Sequence, residues 1–446
     1  MSSTEATTET LTSQEIQGST MRGRSRQRLI LSTILGTTIE FFDLYIYGLA
    51  AGIYFAHEFF ANTSPAIGVI ASFGTLASGF LIRPLGGIIG GHFGDRYGRK
   101  RVLVASMITM GASTFAVGIL PGYAAIGFWA PILLILSRLA QGLGAGAEWG
   151  GGVLMLVEHM DKNHRGFWGS FANFGIWLGI AIGTLIFAGI TRLPEDLQYW
   201  AWRVPFVASA GLVLVGLWVR IGVSETPIFI KAEQGAPSAK RARLPIADLF
   251  SKHTKATIIA IFIATGAGSY QIYATFATSY AKSLSLPMST ILLFQFANGV
   301  VAMGLTLFFG WLSDKTGRRV LAITGSILVV PAMYLLFWCL NGAYLALVPV
   351  SLILLEIGHS MVFGPMGAFL AELFDTRTRY TGVSIAYQVG AGAISGLGPL
   401  VASSILAASG GPPNVYAVPL IVVVTGALTA IGAALASERT RHDLPA

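Results

Sequence analysis

The chain has 446 residues, 54% hydrophobic and only 11% charged, with a net charge of +8 and a mean hydropathy of +0.67. Ordinary soluble domains carry roughly 25% charged residues, so burial in a water-surrounded core cannot absorb this sequence, and an integral membrane protein is implied. The cations gather in short loops between apolar runs, which argues against a nucleic-acid partner, and the single Cys339 rules out an internal disulfide framework and suggests no metal site.

Residues 1–28 are rich in Ser, Thr and Glu and end in four arginines, a pattern unlike the basic-then-apolar start of a signal peptide. They are expected to form a disordered cytoplasmic tail. A bilayer-crossing helix needs about 20 mostly apolar residues. Twelve such spans can be placed: 29–58, 66–92, 102–121, 129–158, 164–191, 202–221, 255–283, 288–313, 320–340, 344–373, 379–406 and 415–437. With both ends inside, the cytoplasmic segments hold 24 of the 29 Lys and Arg residues, as the positive-inside rule requires. The spans divide into an N-terminal six-helix bundle (29–221) and a C-terminal one (255–437). A basic, proline-containing cytoplasmic linker (222–254) joins them, and a short tail (438–446) follows.

A repeat supports that division. The turn GDRYGRKR at 94–101 is echoed in GWLSDKTGRRVL at 310–321, with Asp95, Gly98, Arg99 and Lys100 matching Asp314, Gly317, Arg318 and Arg319 at a constant offset of 219 residues. Glu158 and Arg165, between spans four and five, are likewise echoed by Glu372 and Arg379, between spans ten and eleven.

Ionisable groups inside a span are costly and mark polar cavities. At roughly 1.5 Å per residue, Glu40, Asp43, Arg83 and Arg138 all fall in the middle band of the bilayer. Glu40 and Asp43 lie one helical turn apart, so both can face one cavity, with Tyr47 on the same side. They read either as a proton-coupling pair or as salt-bridge partners of Arg83 or Arg138. Arg83 precedes Pro84, beside an expected bend, and is the first choice for holding an anion; its other reading is pairing with Asp43. Arg138, Gln141, Ala145 and Glu148 share a face. Arg138 can clamp a carboxylate or brace two helices, and Glu148, near the cytoplasmic edge, suits a gate or proton exit. Gly142, Gly144 and Gly146 allow a neighbouring helix to approach closely. Tyr270, Tyr273 and Tyr280, sharing a face of span seven with Gln271 nearby, can bind a hydroxylated or aromatic acid or simply pack. Glu356, His359, Tyr387 and Gln388 are further candidates in the second half, His359 as a titrating or a structural residue.

IEFFDLYIYG (39–48), FLIRPLGG (80–87), the 94–101 turn, RLAQGLGAGAEWGG (138–151), WRVPF (202–206) and SETPIF (224–229) together resemble the major facilitator superfamily, and within it the metabolite:proton symporter family, most nearly the shikimate-type organic acid transporters. The resemblance spans about residues 29–437. It implies an all-α fold of twelve transmembrane helices in two six-helix bundles, which rock around a central site. It also implies a cytoplasmic gate, for which Asp95, Arg99, Glu158, Arg165, Asp314, Arg318, Glu372 and Arg379 are the matching parts.

The expected function is proton-coupled uptake of a small organic acid, such as shikimate or another aromatic or hydroxylated carboxylate, across a bacterial-type cytoplasmic membrane. Substrate contacts are expected from Arg83, Arg138, Gln141, Tyr270, Tyr273 and Gln388, and proton coupling from Glu40, Asp43 and Glu148. A zwitterionic osmolyte such as betaine or proline, or a di- or tricarboxylate, is the alternative cargo. The expected partners are the organic anion and the lipid bilayer, with no nucleic acid and a working monomer. The proton is the only coupling species expected, without other cofactor or metal. The chain has no His-Glu-x-x-His, no Gly-x-Ser-x-Gly and no Gly-Lys dipeptide, so the common hydrolase and phosphate-loop chemistries have no residues to use.

Overall fold

Apolar runs of this length fold as helices because a helix satisfies its own backbone donors and acceptors, which hydrocarbon cannot do. The computed structural model of the chain describes residues 23–89, 99–146, 149–221, 249, 253–375 and 378–440. Among the described residues, ten helices are long and apolar enough to cross a membrane, and two shorter apolar ones complete a set of twelve. In chain order they are Leu29–Phe59 (α1), Pro65–Ile89 (α2), Val104–Ile119 (α3), Trp129–Glu158 (α4, apart from 147–148), Arg165–Ile190 (α5) and Glu195–Leu217 (α6). The second six are Thr254–Ser283 (α7), Met288–Thr316 (α8), Arg318–Asn341 (α9), Val348–Ala371 (α10), Arg379–Ala408 (α11) and Leu420–Leu435 (α12). The described residues contain no strand. Each expected span has its helix. Of the tail expected to be disordered over 1–28, residues 1–22 lie outside the described residues, while 23–28 are helical and continuous with α1, a correction to that expectation. Nearly all of the linker and residues 441–446 also lie outside the described residues.

One boundary differs clearly. The sixth helix begins at Glu195 rather than near 202, and is interrupted between Ala201 and Val204. Glu195 and Asp196 occupy its first turn, where negative charge complements the helix dipole. Counting apolar residues misses that signal.

The turn between α8 and α9 explains one glycine of the repeat. Gly317 sits at φ +92°, a conformation that side chains rarely adopt, and lets α9 start immediately after α8 ends. Three helices also carry a π-helical segment: Ala51–Phe55 in α1, Ile272–Phe276 in α7 and Tyr387–Gly392 in α11. A π turn inserts an extra residue and rotates the face that follows, and such turns recur at functional sites.

Packing places α5 against α1, α8 and α10, α2 against α11 and α4, α9 against α10, and α7 against α12. The α2–α4 approach depends on glycine: a Cβ on Gly142 would stand 2.0 Å from the Gly79 carbonyl oxygen. Large apolar side chains such as Leu31, Ile67, Leu136, Leu214, Ile327 and Val424 remain exposed on the outer surface, as lipid-facing residues do.

Candidate functional site

A small central cavity of about 40 Å³ is lined by residues from α1, α2, α5, α7, α10 and α11. One water needs roughly 10–15 Å³ by this measure, so the cavity holds a few waters and is too small for a six-membered ring. Its walls are rich in aromatic rings, from Phe41, Tyr45, Phe80, Trp177, Tyr270, Phe363 and Tyr387, with Arg83, Gln271, His359 and Ser395 as polar members.

Arg83 reaches the cavity from α2. Its Nη2 lies 3.6 Å from Glu40 Oε1 of α1, both side chains 1% exposed, and its guanidinium stands 4.6 Å from the Phe80 ring centre. The sequence left both Glu40 and Asp43 open as partners of Arg83; the structure gives it Glu40. Asp43 turns elsewhere, accepting a 3.0 Å hydrogen bond from the Thr114 hydroxyl of α3. Gln141 Nε2 donates to that hydroxyl at 2.8 Å, and Arg138 donates to Gln141 Oε1. Arg138 also stacks over the Tyr47 ring at 4.3 Å, and Tyr47 donates to Thr75 at 2.7 Å. Glu40 and Asp43 therefore belong to two different clusters, although one turn separates them. The reason is their partners: an arginine on α2 for one, a threonine on α3 for the other.

Of the six residues expected to contact substrate, Arg83 and Tyr270 line the cavity, while Arg138, Gln141, Tyr273 and Gln388 stand behind its wall. Tyr273 donates to Glu356 Oε2 at 3.0 Å, and Gln388 Nε2 reaches the Gly146 carbonyl of α4 at 3.3 Å. The expectation that Tyr280 joins Tyr270 and Tyr273 on one face is corrected. The π segment Ile272–Phe276 intervenes, and Tyr280 donates to Asn341 at the end of α9. Glu148 and Asp95 lie outside the described residues, as does the side chain of Arg99.

Sequence reasoning missed Trp177 and Asn173 of α5. Trp177 is 1% exposed and meets Tyr270, His359 and Phe363 edge to face, at ring-centre distances of 4.8, 5.7 and 6.5 Å. Asn173 donates to the Phe363 carbonyl at 2.7 Å, tying α5 to α10. An aromatic or an amide within an apolar run carries no sequence signal that separates lining from packing.

At one end of the cavity a charged cluster joins the first six helices to the second six. Asp314, at the end of α8, accepts from the backbone N–H of Gly166 at 2.9 Å and of Phe167 at 3.0 Å, at the start of α5. Carboxylate at a helix N-terminus is favourable both for hydrogen bonding and for the dipole. Arg318 bridges Asp314 at 3.2 Å and Glu372 at 2.7 Å, and Arg379 donates to Glu158 at 2.9 Å. Arg165, also buried, opens α5 in the same region. Glu438, beyond α12, accepts from the N–H groups of Arg318 (3.3 Å) and Arg319 (3.0 Å), capping α9. At the other end Lys282 of α7 donates to the Ile53 carbonyl of α1, and a Cβ on Gly52 would lie 3.3 Å from the Thr275 carbonyl oxygen. The two sets of six helices thus meet at both ends of the cavity.

Twelve apolar helices closing on a buried, partly charged central cavity define a membrane transporter architecture. A profile of the Major Facilitator Superfamily matches residues 33–395 and 300–445, and the chain belongs to that superfamily. It is 39% identical to the "Inner membrane metabolite transport protein YhjE" of Escherichia coli (strain K12), covering 94% of this chain and 96% of that relative. It is 34% identical to the "Shikimate transporter" of the same organism (95% and 97% covered) and 31% identical to the "Proline/betaine transporter" of Salmonella typhimurium (91% and 83%). In fold it is similar to the solved structure of the proton:xylose symporter XylE bound to 6-bromo-6-deoxy-D-glucose, with a TM-score of 0.72 at 18% identity over 94% of this chain and 97% of that one. The chain is a multi-pass membrane transporter of small metabolites and not an enzyme.

Proposed function

We propose that the chain is a proton-coupled importer of a small cyclic or aromatic organic acid of the shikimate type. The observation that carries this reading is Arg83, a buried guanidinium on the cavity wall whose nearest acid, Glu40, is close enough to attract it but too far to hydrogen-bond it. A guanidinium presents two parallel donors that match a carboxylate. A proton on Glu40 removes the competing negative charge, so proton and anion each favour the other's binding. Coupling then follows if both bind better in the states that must interconvert. The Asp43–Thr114–Gln141–Arg138 chain is a second route by which protonation in the first six helices can affect their packing. In this reading the Asp314, Arg318 and Glu372 cluster and the Arg379–Glu158 pair are the cytoplasmic gate, the termini are cytoplasmic, and a monomer in the inner membrane does the work.

A relative named as a proline/betaine transporter, together with the aromatic cavity, supports a second reading in which the rings surround a quaternary ammonium. Uptake of labelled shikimate into proteoliposomes tests the first reading. Accumulation should require an inward proton gradient and vanish when the gradient is collapsed. Gradient-independent accumulation, or accumulation of betaine instead, would overturn it.

A further inference from the structure

Arg83 is not the only buried group at the cavity with bonding capacity left over. Trp177 Nε1 and His359 Nδ1 also make no hydrogen bond among the described residues, and both residues line the cavity, 1% and 2% exposed. Roughly nine in ten buried polar atoms in folded proteins are paired. Two such atoms on adjacent rings, 5.7 Å apart between centres and perpendicular, at the wall of one cavity, point to a ligand group that pairs them.

The chemistry of that group follows from the two atoms. An indole N–H only donates. The His359 Nε2 lies 3.2 Å from the Ala267 carbonyl oxygen, which only accepts, so Nε2 carries a hydrogen, and in the tautomer with its hydrogen there Nδ1 is the ring's acceptor. Glu356 Oε1, 3.6 Å from Nδ1, is an acceptor too and is already engaged by the Ser360 hydroxyl at 2.6 Å. The two side chains therefore ask for one acceptor and one donor. A hydroxyl supplies both. A quaternary ammonium supplies neither, and a second carboxylate would bring negative charge against Nδ1 and Glu356.

We infer that Trp177 and His359 form a hydroxyl-recognition point which, with Arg83 taking the carboxylate from another helix, selects cyclic hydroxy acids over quaternary-ammonium zwitterions and dicarboxylates. The inference rests on the proposal that this cavity receives a small organic acid. The cavity as closed is too small for such a ring, so the acid enters as the helices part, and the donor–acceptor pair is in place before it arrives. Both residues are specificity-determining rather than part of the proton path.

Calorimetric binding to the purified full chain in nanodiscs tests this with three probes: shikimate, cyclohex-1-ene-1-carboxylate (the same ring without hydroxyls) and glycine betaine. The wild type should bind shikimate at least about tenfold more tightly than the hydroxyl-free acid, as a site built to hydrogen-bond a hydroxyl must. Trp177→Phe keeps the ring contacts and removes the N–H; His359→Phe keeps a ring and removes the acceptor together with the donor to Ala267. Each should erase most of the hydroxyl preference while leaving affinity for the hydroxyl-free acid within about twofold, since the hydroxyl contact is the only one to the acid that is lost. Equal wild-type binding of the two acids, with Arg83→Lys weakening both, would overturn the hydroxyl point and leave the organic-acid reading standing. A parallel loss of both acids in both variants would make the pair merely structural. Binding of betaine alone, or of no probe, would overturn both proposals.

Discussion

Arg83 and Arg138 look alike in the sequence, each a lone cation in an apolar span with an acid available in span one. Their surroundings separate them. Arg83 faces the cavity with only a 3.6 Å approach to Glu40, while Arg138 is tied to Gln141 and stacked on Tyr47 behind the wall. Arg83→Lys should therefore weaken acid binding at least about tenfold, because an ammonium cannot reproduce the guanidinium's bidentate fork. Arg138→Lys should instead lower the unfolding temperature while affinity falls less, because its lost contacts are to Gln141 and Tyr47. Titration calorimetry and thermal unfolding of both variants separate the two roles; equal loss of affinity would place Arg138 at the substrate after all. The charges themselves were legible because a cation stands out among leucines and alanines. Pro84 made Arg83 the first choice for the anion, but that Arg138 stands back from the cavity was not legible, since that depends on the rotation of α4 about its axis.

Helix existence was likewise written in the apolar runs, and the close α2–α4 approach in the glycines at 142 and 146, while Gly144 faces α3. A Cβ at Gly142 would collide with backbone, which cannot swing aside as a side chain can. Gly142→Ala should cost about 1–3 kcal/mol, the range for overpacking, measured as a lowered unfolding temperature in detergent; an unchanged temperature would mean that α2 and α4 separate more easily than their contacts indicate. The π segments were invisible, because one extra residue in a turn alters no composition. The one in α7 lies between Tyr270, which lines the cavity, and Tyr280, which donates to Asn341. The cap on α9 was equally hidden, since its acid comes from beyond α12. Burial raises the Glu438 carboxyl, but the Thr440 hydroxyl and the N–H groups of Arg319 and Arg318 outweigh it and hold it below its ordinary value of 4.5. A lowered folded value means that the cap's contribution is complete above 4.5 and disappears as pH falls through the lower folded value. Glu438→Gln should therefore flatten the acid-side decline in thermal stability; an identical decline in the variant would assign it to other carboxylates.

At the scale of the whole molecule, the repeated turns read as a duplication, and the second copy has a clear physical role. Asp314 caps α5 across the boundary between the two sets of six helices, and Arg379 meets Glu158 across the same boundary. Asp314→Asn should weaken that end and favour the state open there. Accessibility labelling of a cysteine placed beside the cavity, in a Cys339→Ser background, should rise from that side only; unchanged labelling would leave Asp314 a helix cap and nothing more. The sequence could pair Asp314 with its echo at Asp95, but not with the α5 backbone, because contacts between distant helices leave no trace in either one alone.

The proposal that a proton on Glu40 and an anion on Arg83 bind together is tested most directly by letting the acid drive the proton. Proteoliposomes in weakly buffered medium, given an inward shikimate gradient and no pH gradient, should turn the medium alkaline as the acid enters. Glu40→Gln, whose side chain cannot take up the proton, should carry the acid with little alkalinisation. Entry of shikimate through the wild-type protein without any rise in external pH, or an undiminished rise with Glu40→Gln, would contradict the account.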